Sequence, residues 1–330
     1  MSTQVTVVPR RGGAGEQPPG NPANPTSLPR RRAVGRRGAA ARRAVTAYAL
    51  LVPAFVVFAI VMLVPIAKAA QVSLYQWSPF PGADNTFVGA DNYTRALHDD
   101  QFRLGVVNAL VYMLITVPGQ IVLGLVVALL LESRLPARTL FRVLFYLPVV
   151  TSWVVVSLLF RYLFVTDGGL VNWVLVDGVH VSGQPIGWLD SRWTAIGAMS
   201  ALGIWKGVGW AAIILLAGLT GVPAEHHEAA AVDGAGYLRR VWHVTLPALR
   251  GQLVFVTVLL VIGGFQVFIQ SLLMTNGGPA GQTEMPLTYL YKQAFQFLDF
   301  GYGSALAMIM TALVLVLSIG QTVLANRRSA

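Results

Sequence analysis

The sequence predicts an all-α membrane protein with six transmembrane helices, and three observations carry that expectation. Of 330 residues, 55% are hydrophobic and 12% are charged, about half the charge of an ordinary soluble chain. The mean hydropathy is +0.62. Six segments reach the roughly 20 apolar residues needed to cross about 30 Å of hydrocarbon. The cations between those segments fall mainly on alternate loops. With no cysteine in the chain, disulfides, thiolate metal sites and cysteine nucleophiles are excluded.

Residues 1–44 hold Arg10, Arg11, Arg30, Arg31, Arg32, Arg36, Arg37, Arg42 and Arg43, a large share of the formal net charge of +10. Gly, Pro and Asn interleave them and no aromatic occurs, so nucleic acid is not the expected partner. A disordered cytoplasmic tail that sets topology and touches anionic membrane lipid fits this composition. It is too long and too arginine-rich, ahead of too long an apolar run, for a cleaved signal peptide.

The membrane domain is expected over residues 45–326. Its spans lie at about 45–67, 105–131, 143–164, 194–220, 252–275 and 302–325, and residues 327–330 form a short C-terminus. The first, fifth and sixth are uncharged. The second lies between Arg103 and Glu132, the third holds Arg161 near its far end, and the fourth holds Lys206. Pro53, Pro65, Pro118, Pro148, Gly263 and Gly264 punctuate the spans, as membrane helices allow when neighbours re-satisfy the backbone. One set of loops carries Arg134, Arg138, Arg142, Arg239, Arg240, Arg250, Arg327 and Arg328 besides the tail. The other carries Lys68, Arg95, Arg103, Arg192 and Lys292 beside several carboxylates. Positive residues stay inside, so both termini are expected in the cytoplasm of a multi-pass protein of the cytoplasmic membrane. The outer loops carry "WSPFPGADN", "TDGGLVN" and "NGGPAGQTE", turn-rich stretches large enough to meet a partner and too small to be domains.

The cytoplasmic loop at about 221–250 is more ordered than a connector requires. Pro223 suits a first helical turn, and Glu225 and Glu228 suit the positive end of a helix dipole. Ala229, Ala230 and Ala231 are strong helix formers without bulk, and Gly234 can adopt a left-handed cap. After that break, Leu238, Val241, Trp242 and Val244 recur at near-helical spacing among arginines, as in an interfacial helix. Leu246-Pro247 then redirects the chain.

The stretch EAAAVDGAGYLRRVWHVTLP, residues 228–247, resembles the signature loop of permease subunits of ABC-type importers. Glu228, Ala229, Ala230, Gly234, Val244, Leu246 and Pro247 fill its seven positions in register. Val241 stands where an aromatic is common, and His226-His227 precede the Glu where the family varies. "IWKGVGW" at 204–210, "LAGLTGVPAEHHEAAAVDGA" at 216–235 and "TNGGPAGQTEMPLTYLYKQAF" at 275–295 resemble the carbohydrate-uptake branch, of maltose and glycerol phosphate type. The likeness covers roughly residues 47–325. It implies a type I ABC importer architecture, with a cytoplasmic coupling helix between the fourth and fifth spans. In that family the helix docks on a separate ATP-hydrolysing subunit. Glu228 would meet a basic group there, Ala229 and Ala230 would permit close approach, Gly234 would supply the turn, and Asp233, Leu246 and Pro247 complete the loop. The implied partners are a second permease in a heterodimer, two ATP-binding subunits and an extracytoplasmic solute-binding protein. The chain has no G-x-x-x-x-G-K-[ST] sequence, so ATP is expected on the partner, with no cofactor or metal here and no catalytic residue.

Other residues have two readings each. Lys206 inside a span either lines a solute path or serves packing. Gln266 and Gln270 share one helix face, as Asn108 and Gln120 share the second span. Either set contacts sugar hydroxyls in a cavity or bonds between helices. His226 and His227 lack the H-E-x-x-H spacing of a zinc site and are expected at the surface. The alternative of a self-sufficient secondary transporter or channel for a small polar solute expects intramembrane carboxylates, and the expected spans contain none.

Overall fold

The computed structural model describes residues 34–80, 85–133 and 137–327. The chain divides into two units, Met1–Ile60 and Val61–Ala330. In the first, α1 (Val34–Phe58) is a single helix. The expected unstructured tail is therefore helical from Val34 on, consistent with the Ala- and Arg-rich composition of residues 38–44. The expectations for residues 1–33 lie outside the described residues. A π turn at Ala59–Leu63 follows α1. The second unit opens with α2 (Val64–Val72), where Pro65, which has no N–H to donate, follows directly on the π turn.

In the second unit, β1 (Tyr75–Gln76) pairs antiparallel with β2 (Thr86–Phe87), Tyr75 opposite Phe87. The short α3 (Asp91–His98) leads into α4 (Asp100–Glu132). Asp99 caps α4, accepting from the backbone N–H of Gln101 at 2.9 Å and Phe102 at 3.1 Å. Then come α5 (Arg138–Val150), α6 (Trp153–Leu163) and α7 (Leu170–Trp173), the last with a π turn at Val174–Gly178. The long α8 (Arg192–Leu219) is followed by α9 (Ala224–Val232) and α10 (Tyr237–Arg240). A π turn at Val241–Thr245 joins α10 to α11 (Leu246–Ala248). The chain ends with α12 (Arg250–Phe265), α13 (Ile269–Met274), α14 (Pro286–Tyr291), a π turn at Lys292–Gln296, and α15 (Phe300–Arg327).

Among the described residues, four helices are long and apolar enough to cross a membrane, Thr46–Val72, Asp100–Glu132, Arg192–Leu219 and Phe300–Ala325, and up to six if each of two bent pairs is one span. The expected third span is broken, α5 meeting α6 at 95° across Thr151 and Ser152. Pro148 explains where this happens, since proline withdraws a helical bond near the end of α5. The expected fifth span is interrupted too, between Phe265 and Ile269. Its α12 is bent 72° from the segment Tyr237–Ala248.

Half of the most apolar window of α8 is buried, so α8 is the central helix and packs mainly on α4. At the Arg192 end, Met199 and Leu202 join Phe102, Tyr112, Phe265, Met285 and Tyr302 in one core. At the Leu219 end, Leu215 and Leu219 join Val127, Leu131 and Leu249 in a second. Small residues let backbones approach. A Cβ at Gly209 of α8 would collide with the carbonyl oxygen of Phe145 in α5, the kind of contact membrane helices use in place of a hydrophobic drive.

Candidate functional site

The loop over residues 221–250 contains an exposed helix with both ends fixed. Pro223 precedes α9 in extended conformation (ψ 132°), and its carbonyl accepts from His226 N at 3.2 Å. At the other end Gly234 has φ +77°. The Ala235 N–H reaches back to Ala230 O at 2.9 Å and the Gly234 N–H to Ala231 O at 3.0 Å, the paired bonds of a Schellman ending. Nothing lies within 4 Å of a Cβ built on Gly234. The position therefore favours glycine for its dihedral and not for space.

No residue of α9 is buried. Glu228, Ala229, Asp233 and Gly234 are exposed and Ala230 is half-buried. Val232 is 89% exposed, and Leu238 and Trp242 are similarly open, an apolar rim beside a face of small side chains. Beyond the π turn, Leu246 is half-buried, Pro247 is exposed and Leu249 is fully buried where the chain bends into α12. His226 is exposed as expected, whereas His227 is half-buried and lines a cleft of about 300 Å³ with Glu132, Tyr237 and Arg240.

The second feature is a cavity of about 390 Å³ between α4, α8 and the broken spans. Lys206, Gln266 and Gln270 come together there with Tyr112, Gln120, Trp153 and Trp210. Gln270 Nε2 faces Tyr112 OH at 3.4 Å, and Gln120 Nε2 donates to Gly203 O at 3.3 Å. Gln266 lies where α12 ends, with its N–H on Gly263 O at 3.0 Å. Non-helical backbone at such a depth is tolerated where it lines a cavity, and both breaks border this one. Lys206 donates to Pro148 O and Thr151 O, both at 2.7 Å.

Asn108 is not part of this cavity. Its Nδ2 donates to Gln282 O at 2.9 Å and Glu284 O at 2.8 Å, and its Oδ1 accepts from Arg192 Nε at 2.9 Å. Both amide protons are spent on holding the loop before α14, so Asn108 is a staple for that loop. Arg161, expected to reach toward an interface, has Nη1 on Leu273 O at 3.4 Å near the end of α13.

Sequence reasoning missed a polar node at the Arg192 end of α8. Asp99 Oδ2 accepts from Tyr289 OH and Tyr302 OH, each at 2.6 Å. Arg95 pairs with Asp299 at 2.7 Å and lies 3.8 Å over the Tyr302 ring. Burial alone would raise the Asp99 pKa. The two tyrosine hydroxyls and the Phe102 and Gln101 N–H groups outweigh it and hold the carboxyl below its ordinary value. Burial, then the bond to Asp99, pushes Tyr289 well up. Close by, Glu284 and Lys292 form a pair at 2.6 Å with the Glu284 side chain 4% exposed. Asp99 directly ahead of a helical run was a readable N-cap signal. Its two tyrosines, about 200 residues away, were not readable.

A bundle with broken spans around a largely apolar cavity that carries three glutamine amides, and with an ordered, exposed helix in the loop after α8, is the arrangement of a membrane transport subunit. Residues 120–330 match the family of binding-protein-dependent transport system inner membrane components, and the chain belongs to that family. It is 34% identical over 276 residues to the probable ABC transporter permease protein YurN of Bacillus subtilis (strain 168), covering 83% of this chain and 94% of that protein. It is 34% identical over 264 residues to the sulfoquinovosyl glycerol transport system permease protein SmoG of Agrobacterium fabrum (strain C58 / ATCC 33970), covering 80% and 85%. Among solved structures, a chain of a bacterial ABC transporter involved in import of the acidic polysaccharide alginate has the same fold. The TM-score is 0.75 at 21% identity, over 88% of this chain and 99% of that one. The fold is that of type I ABC importer permeases.

Proposed function

We propose that this chain is the permease subunit of an ATP-driven importer that moves a carbohydrate across the cytoplasmic membrane by alternating access, with both termini in the cytoplasm. It works beside a second, different permease and two ATP-binding subunits, which hydrolyse the ATP. An extracytoplasmic binding protein delivers the solute. The observation that carries this reading is α9, a nine-residue helix with no buried residue yet with both ends fixed. Order without burial is what a docking helix needs, since a frayed one would pay its ordering entropy on every contact. Glu228, Ala229 and Ala230 make its contacts, Asp233 and Gly234 end it, and Leu246 and Pro247 carry the chain to the fifth span.

The cavity supports the carbohydrate. Amides at Gln120, Gln266 and Gln270 match hydroxyl groups, and the indoles of Trp153 and Trp210 offer faces to sugar rings. Its size lies within the usual range for small-molecule pockets. The relative SmoG is a sulfoquinovosyl glycerol transport system permease protein.

Co-purification of the tagged chain from its own membranes tests the assembly. Wild type brings down an ATPase, and Glu228→Ala or Gly234→Pro loses or uncouples it, because proline cannot adopt φ +77°. If no ATPase accompanies wild type, the reading fails. Gln266→Ala and Gln270→Ala are expected to lower uptake and leave that assembly intact.

A further inference from the structure

Lys206 lies within α8 and is 4% exposed. Its Nζ is 2.7 Å from both Pro148 O and Thr151 O, and 3.3 Å from Val149 O and Thr151 Oγ1. An ammonium has three protons and accepts nothing. Two short bonds and a third, divided one use all of them. The Trp153 ring centroid lies 4.9 Å from the same atom. All four acceptors belong to the last residues of α5 and to Thr151 just past it, the carbonyl end that carries the helix's partial negative charge. Pro148 O also accepts from Thr151 N at 3.3 Å and from Thr151 Oγ1 at 2.6 Å. Thr151 (ψ 152°) and Ser152 (ψ 131°) are extended, so the backbone leaves the helix directly beneath the ammonium and restarts as α6 at 95°.

We propose that Lys206 is a positioning residue: it clamps the carbonyl end of α5, fixes the break between α5 and α6, and so sets Val149 and Trp153 as a wall of the cavity. Lys206 is also the one Lys, Arg, Asp or Glu among the residues lining that cavity. With its protons spent on backbone, the cavity offers amide, phenol and indole groups to a solute and no free charge. The consequence for transport rests on the cavity being the solute path. The clamp itself does not.

The chain has no cysteine, so Arg142→Cys with Leu159→Cys places one spin-label pair on exposed positions either side of the break. The measurement uses the assembled transporter in lipid nanodiscs, with partner subunits stripped of accessible thiols. The labelled parent gives a short, narrow distance distribution. Lys206→Met keeps most of the length and removes every donor. It is expected to broaden the distribution and lengthen it, toward the roughly 7 Å that a straight helix of 1.5 Å per residue would add. A packing role alone would lower the Tm and leave the distances alone. Should Lys206→Met not assemble, Lys206→Leu, shorter and also without a donor, is read in the same way. Unchanged distances in whichever variant assembles overturn the clamp. Failure of the solute-path reading shows instead as unchanged uptake in Gln266→Ala and Gln270→Ala with the distances still altered by the Lys206 variant.

Discussion

Asp99 serves two elements at once. One oxygen caps α4 while the other receives hydroxyls from α14 and α15. Because its pKa is depressed in the folded protein, its stabilisation is fully present above the ordinary value of 3.8. The contribution is lost as pH falls from there through the lower native value. A Tm series between about pH 5 and pH 3 should therefore decline more steeply in wild type than in Asp99→Asn, which keeps a capping oxygen without the titrating charge. Equal slopes would remove Asp99 from the account. The same scale shows what a sequence can hide. Lys206 was visible as a charge in a span, but its acceptors lie 55 to 58 residues earlier. Asn108 looked like a cavity residue because its spacing on the second span cannot report a loop about 175 residues later.

At the scale of elements, two glycines act for different reasons. Gly234 is held by its dihedral, so Gly234→Ala should cost roughly 1–2 kcal/mol of α9 ending stability. Gly234→Asn should cost less, since Asn enters the left-handed region more readily. The readout is ATP hydrolysed per solute imported, rising in the order wild type, Asn, Ala. Gly209 is held by contact: a methyl there meets the backbone of α5. Gly209→Ala should cost about 1–3 kcal/mol as overpacking, read as a lower Tm of the detergent-solubilised complex. An unchanged Tm would mean α5 moves aside freely. Four spans were legible from their apolar length. The breaks in the expected third and fifth were not, because one or two polar residues, at Thr151–Ser152 and at Gln266, do not interrupt an otherwise apolar run. The ordered loop was the opposite case, legible in composition and spacing alone.

For the molecule as a whole, the distribution of arginine predicts orientation, and the cysteine-free background makes it measurable. Glu225→Cys on exposed α9 and Val181→Cys in the loop before α8 are both accessible positions. A membrane-impermeant maleimide added to spheroplasts should label only Val181→Cys, and in inverted vesicles only Glu225→Cys. The reverse pattern would place the termini outside. What sequence predicts at this scale is the number of crossings and their direction, since both depend on composition summed over long stretches. What it leaves open is how the helices stack, because that depends on pairs of residues far apart in the chain.

The bend at Leu249 gives α12 the geometry of a lever. Its short arm is the segment Tyr237–Ala248, set at 72°, and its fulcrum is a leucine with no exposed surface. The long arm is the 16 residues of α12, about 24 Å at 1.5 Å per residue, so a tilt of about 10° swings its far end through about 4 Å. That far end is Phe265, where the backbone is already interrupted and Gln266 enters the cavity. The interruption disconnects α13, which is held separately by packing against α6. On the proposed coupling, a small rocking of the short arm would open a gap the width of a hydroxyl-bearing ring edge at the other end, with no helix stretched to make it.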